Sequence, residues 1–281
     1  MNRLNASAVT WRVLVLLLSL YFLLPLVWLI VSSTKSTGQL FTTFGLWFAS
    51  PWHLLDNIRG MAAFQGGVVG RWMLNTAVYS GAVALLSTLF SAMAGYAFSR
   101  FEFPLKTVLN LMILSAVLLP ITALVLPIFL ILHDLGLINT YWAVILPLLV
   151  NPLGVYLMMI FWDQGFAREL QDAAYLDGAD EWRVFWQVGL PLVRNGLLTV
   201  ALFSFVSTWN NFFLPLVVLS KGSLYPITLG LAIWNSTAQT GASVDYPAIL
   251  VGALISVLPL IIAFFTLQRY WQAGLTSGSL K

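Results

Sequence analysis

Residues 107–131 contain no acidic or basic side chain, and neither do residues 13–32, 74–98, 141–162 and 248–267. A sixth apolar stretch, 193–217, carries only Arg194, close to its start. Runs of about 20 apolar residues cross the hydrocarbon of a bilayer. Lipid offers no partner to a free peptide group, so a spanning segment is a helix or a strand of a closed barrel. Barrel strands are roughly 10-residue alternating segments, which runs this long exclude. An all-α integral membrane protein with six transmembrane helices is therefore expected. Charged residues make up 8% of the 281, against about 25% in a soluble domain. The first run is longer than the roughly 7–15-residue core of a secretory signal, and no small-x-small cleavage site follows it. It reads as a retained helix.

Six crossings put both ends on one side, with Arg3, Arg12, Arg100, Lys106, Arg168, Arg183, Arg194, Arg269 and Lys281. The other side has Lys35, Arg59, Arg71 and Lys221. Basic residues in short loops mark the cytoplasmic face. Both termini and segment 163–191 are thereby cytoplasmic, and loops 33–73, 132–140 and 218–247 lie outside. Trp11, Trp72, Tyr141, Trp142, Trp162, Tyr270 and Trp271 fall at span edges, where aromatic rings settle among headgroups. The expected organisation is a first helix with its outer loop (1–73), a five-helix core (74–268) and a short tail (269–281). Pro25, Pro120, Pro127, Pro147, Pro215 and Pro259 lie inside spans and serve either helix packing or a bent, moving pathway.

The spans hold no Asp, Glu, Lys or His, the residues on which proton-coupled carriers rely. Sodium held by backbone carbonyls stays open. No G-x-x-x-x-G-K-[ST] loop is present to cradle a nucleotide, so ATP-derived energy has to arrive by contact with another protein. The chain has no cysteine, and the isolated His53 and His133 lack the companions a metal site needs.

Six of the ten acidic residues crowd into 163–187: Asp163, Glu169, Asp172, Asp177, Asp180 and Glu181. Leu170, Ala173 and Ala174 recur there at helical spacing. Gly178 stands where a helix ends. Asp180 opens a second short helix as its N-cap, with Trp182, Phe185 and Trp186 as bulky side chains, and Leu190-Pro191 closes it. Helix, turn, helix, proline forms a wedge, read either as a hairpin lying on headgroups or as a docking element.

The pattern Asp172-Ala173-Ala174-x3-Gly178-x9-Val188-x-Leu190-Pro191 resembles the EAA loop of binding-protein-dependent ABC importer permeases. Asp177-Gly178-Ala179 with Phe185-Trp186 resembles the carbohydrate-uptake branch, specifically its second permease subunit of the maltose-permease type. Asn75-Thr76, Arg100-Phe101-Glu102-Phe103-Pro104, Asn139-Thr140-Tyr141, Trp209-Asn210-Asn211-Phe212 and Gln268-Arg269-Tyr270 follow in that family's order. Two positions depart from it: Asp172 replaces the usual Glu, and Ala167 replaces a proline.

The resemblance implies a type I ABC importer permease fold in a bacterial or archaeal inner (plasma) membrane. It implies a non-catalytic subunit that binds no cofactor itself, ATP and Mg²⁺ being held by a dimer of cytoplasmic ATP-binding subunits. The other implied partners are a homologous second permease, an extracytoplasmic substrate-binding protein, a sugar and the lipid bilayer, with no nucleic acid. The implied ATPase-coupling residues are Glu169, Asp172, Ala173, Ala174, Asp177, Gly178, Ala179, Trp182, Phe185, Leu190 and Pro191. The C-terminal residues 274–281 reach towards the ATPase in related permeases; a frayed tail is the other reading. Asn75, Ser204, Ser207, Trp209, Asn210 and Asn211 are candidates for the pathway or its gate, although polar groups in spans also bridge helices. Trp234, Asn235 and Gln239 belong to the outer loop that resembles a binding-protein contact. Two rival classes remain: a stand-alone carrier or channel for a neutral solute, and a non-transporting membrane scaffold.

Overall fold

The computed structural model describes residues 3–238 and 245–277, and every regular element among them is a helix. In chain order these are α1 (Arg3–Ser33), α2 (Thr37–Thr42), α3 (Leu54–Ala63), α4 (Val68–Arg100), α5 (Lys106–Leu118), α6 (Ile121–Asp134) and α7 (Tyr141–Leu149). They continue as α8 (Pro152–Gly165), α9 (Arg168–Leu176), α10 (Glu181–Leu192), α11 (Arg194–Trp209), α12 (Phe213–Val218), α13 (Ile227–Ala238) and α14 (Tyr246–Ser277).

Three helices are unbroken and apolar enough to cross a membrane: Ala8–Ser33 within α1, all of α4, and Tyr246–Thr266 within α14. The expectation of six continuous spans is corrected elsewhere. Residues 107–131 form two helices, α5 and α6, set at 107°. Pro120 has no N–H to extend α5, and its ring drives Leu119 out of the helical region to φ −76°, ψ 126°. Residues 141–162 bend by 42° between α7 and α8. Asn151 caps α8 there, accepting from the Gly154 amide at 2.9 Å, with Pro152 at the first helical position. Residues 193–217 stop at Trp209 and resume at Phe213.

A further correction concerns α10, which was expected to end at Leu190-Pro191. It runs through both to Leu192 and turns by 79° into α11. Val184–Gly189 is a π-helical turn in which the Leu190 amide reaches the Phe185 carbonyl, five residues back. The wider turn gives the Pro191 ring space that an α-helical carbonyl would deny it.

The chain divides into two compact units. One comprises Met1–Gly70 and Leu231–Leu258. In it α1 is apolar on all sides, and its most apolar window is wholly unburied, as suits a lipid-facing helix. The turn after α1 is cross-tied. Asn57 Nδ2 donates to the Ser33 and Lys35 carbonyls at 2.8 and 2.9 Å, and Lys35 Nζ donates to the Phe44 carbonyl at 2.7 Å. Between α3 and α4 the chain reverses through Gln65, Gly66 and Gly67, at φ 43°, 70° and 90°; two glycines relieve most of the strain.

The other unit comprises Arg71–Gly230 and Pro259–Lys281. Near the start of α4, Tyr79 and Val83 pack with Val125, Val144, Leu214 and Val218. Towards its end, Ala92 and Tyr96 pack with Met158, Trp162, Phe166 and Phe185. Helices α4 and α8 approach closely at Gly95, where an added Cβ would stand 2.7 Å from Met158 Cβ. Trp11 and Trp142, expected at span edges, are exposed. Trp72 and Trp162, expected there to face headgroups, are instead buried in the protein and donate their indole N–H groups to the Gly222 and Ala92 carbonyls at 2.8 and 2.9 Å. A buried indole needs such a partner. The side chains of Tyr270 and Trp271 lie outside the described residues.

Candidate functional site

The acidic segment folds as the sequence demands locally. Helix α9 ends in a Schellman closure: the Gly178 amide donates to the Tyr175 carbonyl and the Ala179 amide to the Ala174 carbonyl, both at 3.0 Å. Gly178 sits at φ 82°, which a residue with a Cβ adopts only under strain. Two residues later Asp180 caps α10, its Oδ1 accepting from the Arg183 amide at 2.9 Å.

The resulting wedge has two different faces. Glu169, Asp172, Ala173, Asp177, Gly178, Trp182 and Pro191 are exposed, as are Leu170, Leu176 and Trp186. Facing the protein are Phe185, which is buried, and Ala174, Ala179 and Leu190, which pack against the Trp162–Phe166 cluster. Ala174 and Ala179 thus serve close packing within this chain.

Three fastenings hold the wedge, and none was legible in the sequence. The Glu181 carboxylate accepts from the phenols of Tyr96 on α4 and Tyr175 on α9. Gln171 Nε2 donates to the Tyr175 oxygen at 2.9 Å. Partial burial, and then the bond to Glu181, raise the Tyr175 phenol above its ordinary range, so it stays a donor. Arg100 donates through Nη2 to the Trp162 and Phe166 carbonyls and lies 4.9 Å from the centre of the Phe166 ring. A cation at a helix C-terminus is electrostatically favoured. Ser99 donates to Asp163.

A cavity of about 520 Å³ lies among α5, α6, α7, α8 and α11. Its lining is apolar apart from Asn151, Ser204, Ser207 and Thr208, and no lining residue is charged. Ser204 Oγ accepts from Ser87 Oγ and from Asn151 Nδ2, both at 3.0 Å. The chain breaks at Leu119 and Val150 border the cavity.

Of the six pathway candidates, Ser204 and Ser207 line this cavity. Trp209 is buried against Phe205, their ring centres 5.4 Å apart. Asn210 is exposed and bonds back to the Val206 carbonyl at 2.9 Å. The Asn211 carbonyl accepts from Thr228 at 2.9 Å. Asn75 is buried elsewhere. Its Nδ2 donates to the Ser223 and Tyr225 carbonyls at 2.9 and 3.0 Å, and its Oδ1 accepts from Tyr141 at 2.7 Å.

Asn75 belongs to a clasp around residues 220–227. Trp72 holds the Gly222 carbonyl, Tyr79 the Leu224 carbonyl at 2.9 Å, and Thr76 Oγ1 accepts from the Ile227 amide at 2.7 Å. Asn139, at φ 62°, accepts the Ser220 and Lys221 amides. In the first unit Trp234 is buried and stacks on Phe64, ring centres 3.7 Å apart. Asn235 is exposed, and Gln239 lies outside the described residues.

Residues 87–277 match the model of the family described as binding-protein-dependent transport system inner membrane component. The arabinooligosaccharides transport system permease protein AraQ of Halalkalibacterium halodurans is 34% identical over 258 residues, covering 92% of this chain and 90% of that protein. The trehalose transport system permease protein SugB of Mycobacterium tuberculosis is 32% identical over 276 residues, covering 98% of each. A bacterial ABC transporter involved in the import of the acidic polysaccharide alginate has a chain of the same fold, with a TM-score of 0.82 at 20% identity, over 96% of this chain and 98% of that one. The chain belongs to the family of inner membrane components of binding-protein-dependent transport systems.

Proposed function

We propose that this chain is a permease subunit of an ATP-driven sugar importer, forming half of a translocation pathway with a homologous second permease. In this reading the chain crosses the membrane six times with both termini in the cytoplasm, the bent pairs included. Residues 1–73 supply the first helix and outer loop, 74–268 the core, and 269–281 a cytoplasmic tail whose residues 278–281 lie outside the described ones. The subunit catalyses nothing; ATP and Mg²⁺ are bound by a partner dimer. Closure of that dimer is transmitted through segment 163–191, and an extracytoplasmic binding protein delivers the sugar.

The observation that carries this reading is the two-faced wedge. Its inner face is fastened to α4 and α8, while acids and large apolar rings stand exposed outside, a composition suited to a docking interface. The uncharged cavity supports a neutral, hydroxylated solute: Asn151, Ser204, Ser207 and Thr208 offer hydrogen-bonding groups without a counter-ion. The substrates for which these relatives are named, arabinooligosaccharides and trehalose, support the same class.

The test is purification of the complex followed by sugar uptake into proteoliposomes. Trp182→Ala and Asp172→Lys are exposed changes and should release the ATPase while leaving the chain folded. Uptake should require ATP and the binding protein. Uptake by this chain alone would replace the proposal with a stand-alone carrier. An assembled complex that moves no solute under any energised condition would leave the scaffold reading.

A further inference from the structure

The segment after α1 is unusual for a loop in water. Residues 36–55 contain no Asp, Glu, Lys or Arg. Yet Phe41 is 75% exposed, Phe44 72%, Trp47 71%, Trp52 63% and Leu55 68%. An apolar patch of this kind marks something that covers it.

The segment is also built to hold its shape. Ser36 and Gln39 form a capping box on α2. Gln39 Nε2 donates to the Pro51 carbonyl at 3.3 Å. Phe48 stacks on Trp52 with ring centres 5.2 Å apart, and Trp47 meets Phe48 edge-on.

Its depth follows from α1. Lys35 Nζ pulls the Phe44 carbonyl back towards the helix end at 2.7 Å. A Cβ on Gly45 would lie 3.5 Å from the Trp28 indole nitrogen, so Gly45 is level with Trp28. Trp28 precedes Ser33 by five residues, roughly 7.5 Å along the axis. Ala8–Ser33 has 26 residues, so it is about 39 Å long and exceeds a hydrocarbon core of about 30 Å by roughly 9 Å. Shared between two ends, that leaves about 4–5 Å of each end outside the hydrocarbon, and Gly45 falls at the boundary.

We propose that residues 41–52 form an aromatic collar seated in the headgroup–acyl boundary of the leaflet at the C-terminal end of α1. The partner is the lipid itself. The collar continues the lipid-facing surface of α1. Aromatic rings without accompanying charge favour this boundary, whereas a soluble partner's interface brings a polar rim.

The test is tryptophan quenching in the full complex reconstituted in phosphatidylcholine vesicles, comparing the natural chain with Trp47→Phe/Trp52→Phe. Both changes keep a ring at each position. Lipids brominated on the acyl chain and aqueous iodide serve as separate quenchers. The expected result is loss of bromolipid-quenchable emission equal to two of the chain's twelve tryptophans, with the iodide-quenchable part unchanged. Loss from the iodide-quenchable part instead would place the rings in water and overturn the proposal. Loss from neither would mean that protein, a partner chain or a second copy, covers them, and would overturn it equally.

Discussion

Glu181 ties the wedge of α9 and α10 to α4, and its removal should loosen the wedge by a calculable amount. Tyr96→Phe deletes one phenol while keeping a ring that packs 4.8 Å from Trp162 and 5.3 Å from Phe185. A hydrogen bond to a charged group contributes about 1.5–3 kcal/mol. Because the half-buried Glu181 keeps its bond to Tyr175, the lower end applies: about 1.5 kcal/mol, or roughly ten-fold in population. Glu181→Ala removes both bonds and strands the Tyr96 phenol, a group in a buried residue, adding about 1–3 kcal/mol. With two bonds at about 1.5 kcal/mol each, the total is about 4 kcal/mol or more, on the order of 1,000-fold. Glu181→Gln retains an acceptor and should fall between the natural chain and Glu181→Ala. The assay is backbone hydrogen exchange of residues 168–181 in the assembled complex, with solute moved per ATP hydrolysed measured alongside. Exchange should accelerate in the order Tyr96→Phe, then Glu181→Ala, and solute per ATP should fall in the same order. Unchanged exchange in Glu181→Ala, with the ATPase still bound, would refute the reasoning.

Three further outcomes can be checked. Gly95→Ala should lower the thermal midpoint through overpacking of about 1–3 kcal/mol, since its Cβ would meet Met158 backbone at 2.9 Å. Gly81→Ala in the same helix has nothing within 4 Å and should be neutral, or stabilising by about 0.5–1 kcal/mol. Asn139→Ala should cost about 0.5–1.5 kcal/mol by removing the acceptor shared by two exposed amides and straining a φ of 62°; limited proteolysis near residue 221 should accelerate, and Asn139→Gly should recover only the backbone part. Trp182→Ala, at 61% exposure, should move the thermal midpoint by no more than about 0.5 kcal/mol equivalent, which separates lost docking from lost folding.

What the sequence discloses follows the range of each interaction. The Gly178 closure and the Asp180 cap are settled within a few residues, and both were readable. So was the helical class, which composition alone imposes. Pro120 could be seen to disturb a helix, but not by 107°, because that angle is set by what α5 and α6 pack against. The π turn before Pro191 likewise escaped periodicity. Glu181 and Tyr96 are 85 residues apart, and no local pattern announces their bond. Asn75 read as a pathway residue because it is polar and intramembrane; its partners at 223 and 225 lie in a loop whose course only the folded chain reveals.

The clasp hydrogen-bonds its loop through main-chain groups, the carbonyls of Gly222, Ser223, Leu224 and Tyr225 and the amides of Ser220, Lys221 and Ile227, while only Leu224, Tyr225 and Ile227 among these also pack their side chains inward. Where a strap is held by its peptide groups and its side chains stand exposed, as at residues 220, 221 and 223, the hold does not specify those side chains. Ser220, Lys221 and Ser223 are accordingly free to drift in identity while the strap keeps its course. The fold thereby offers a position where the outward chemistry can be rewritten without rebuilding what lies beneath it.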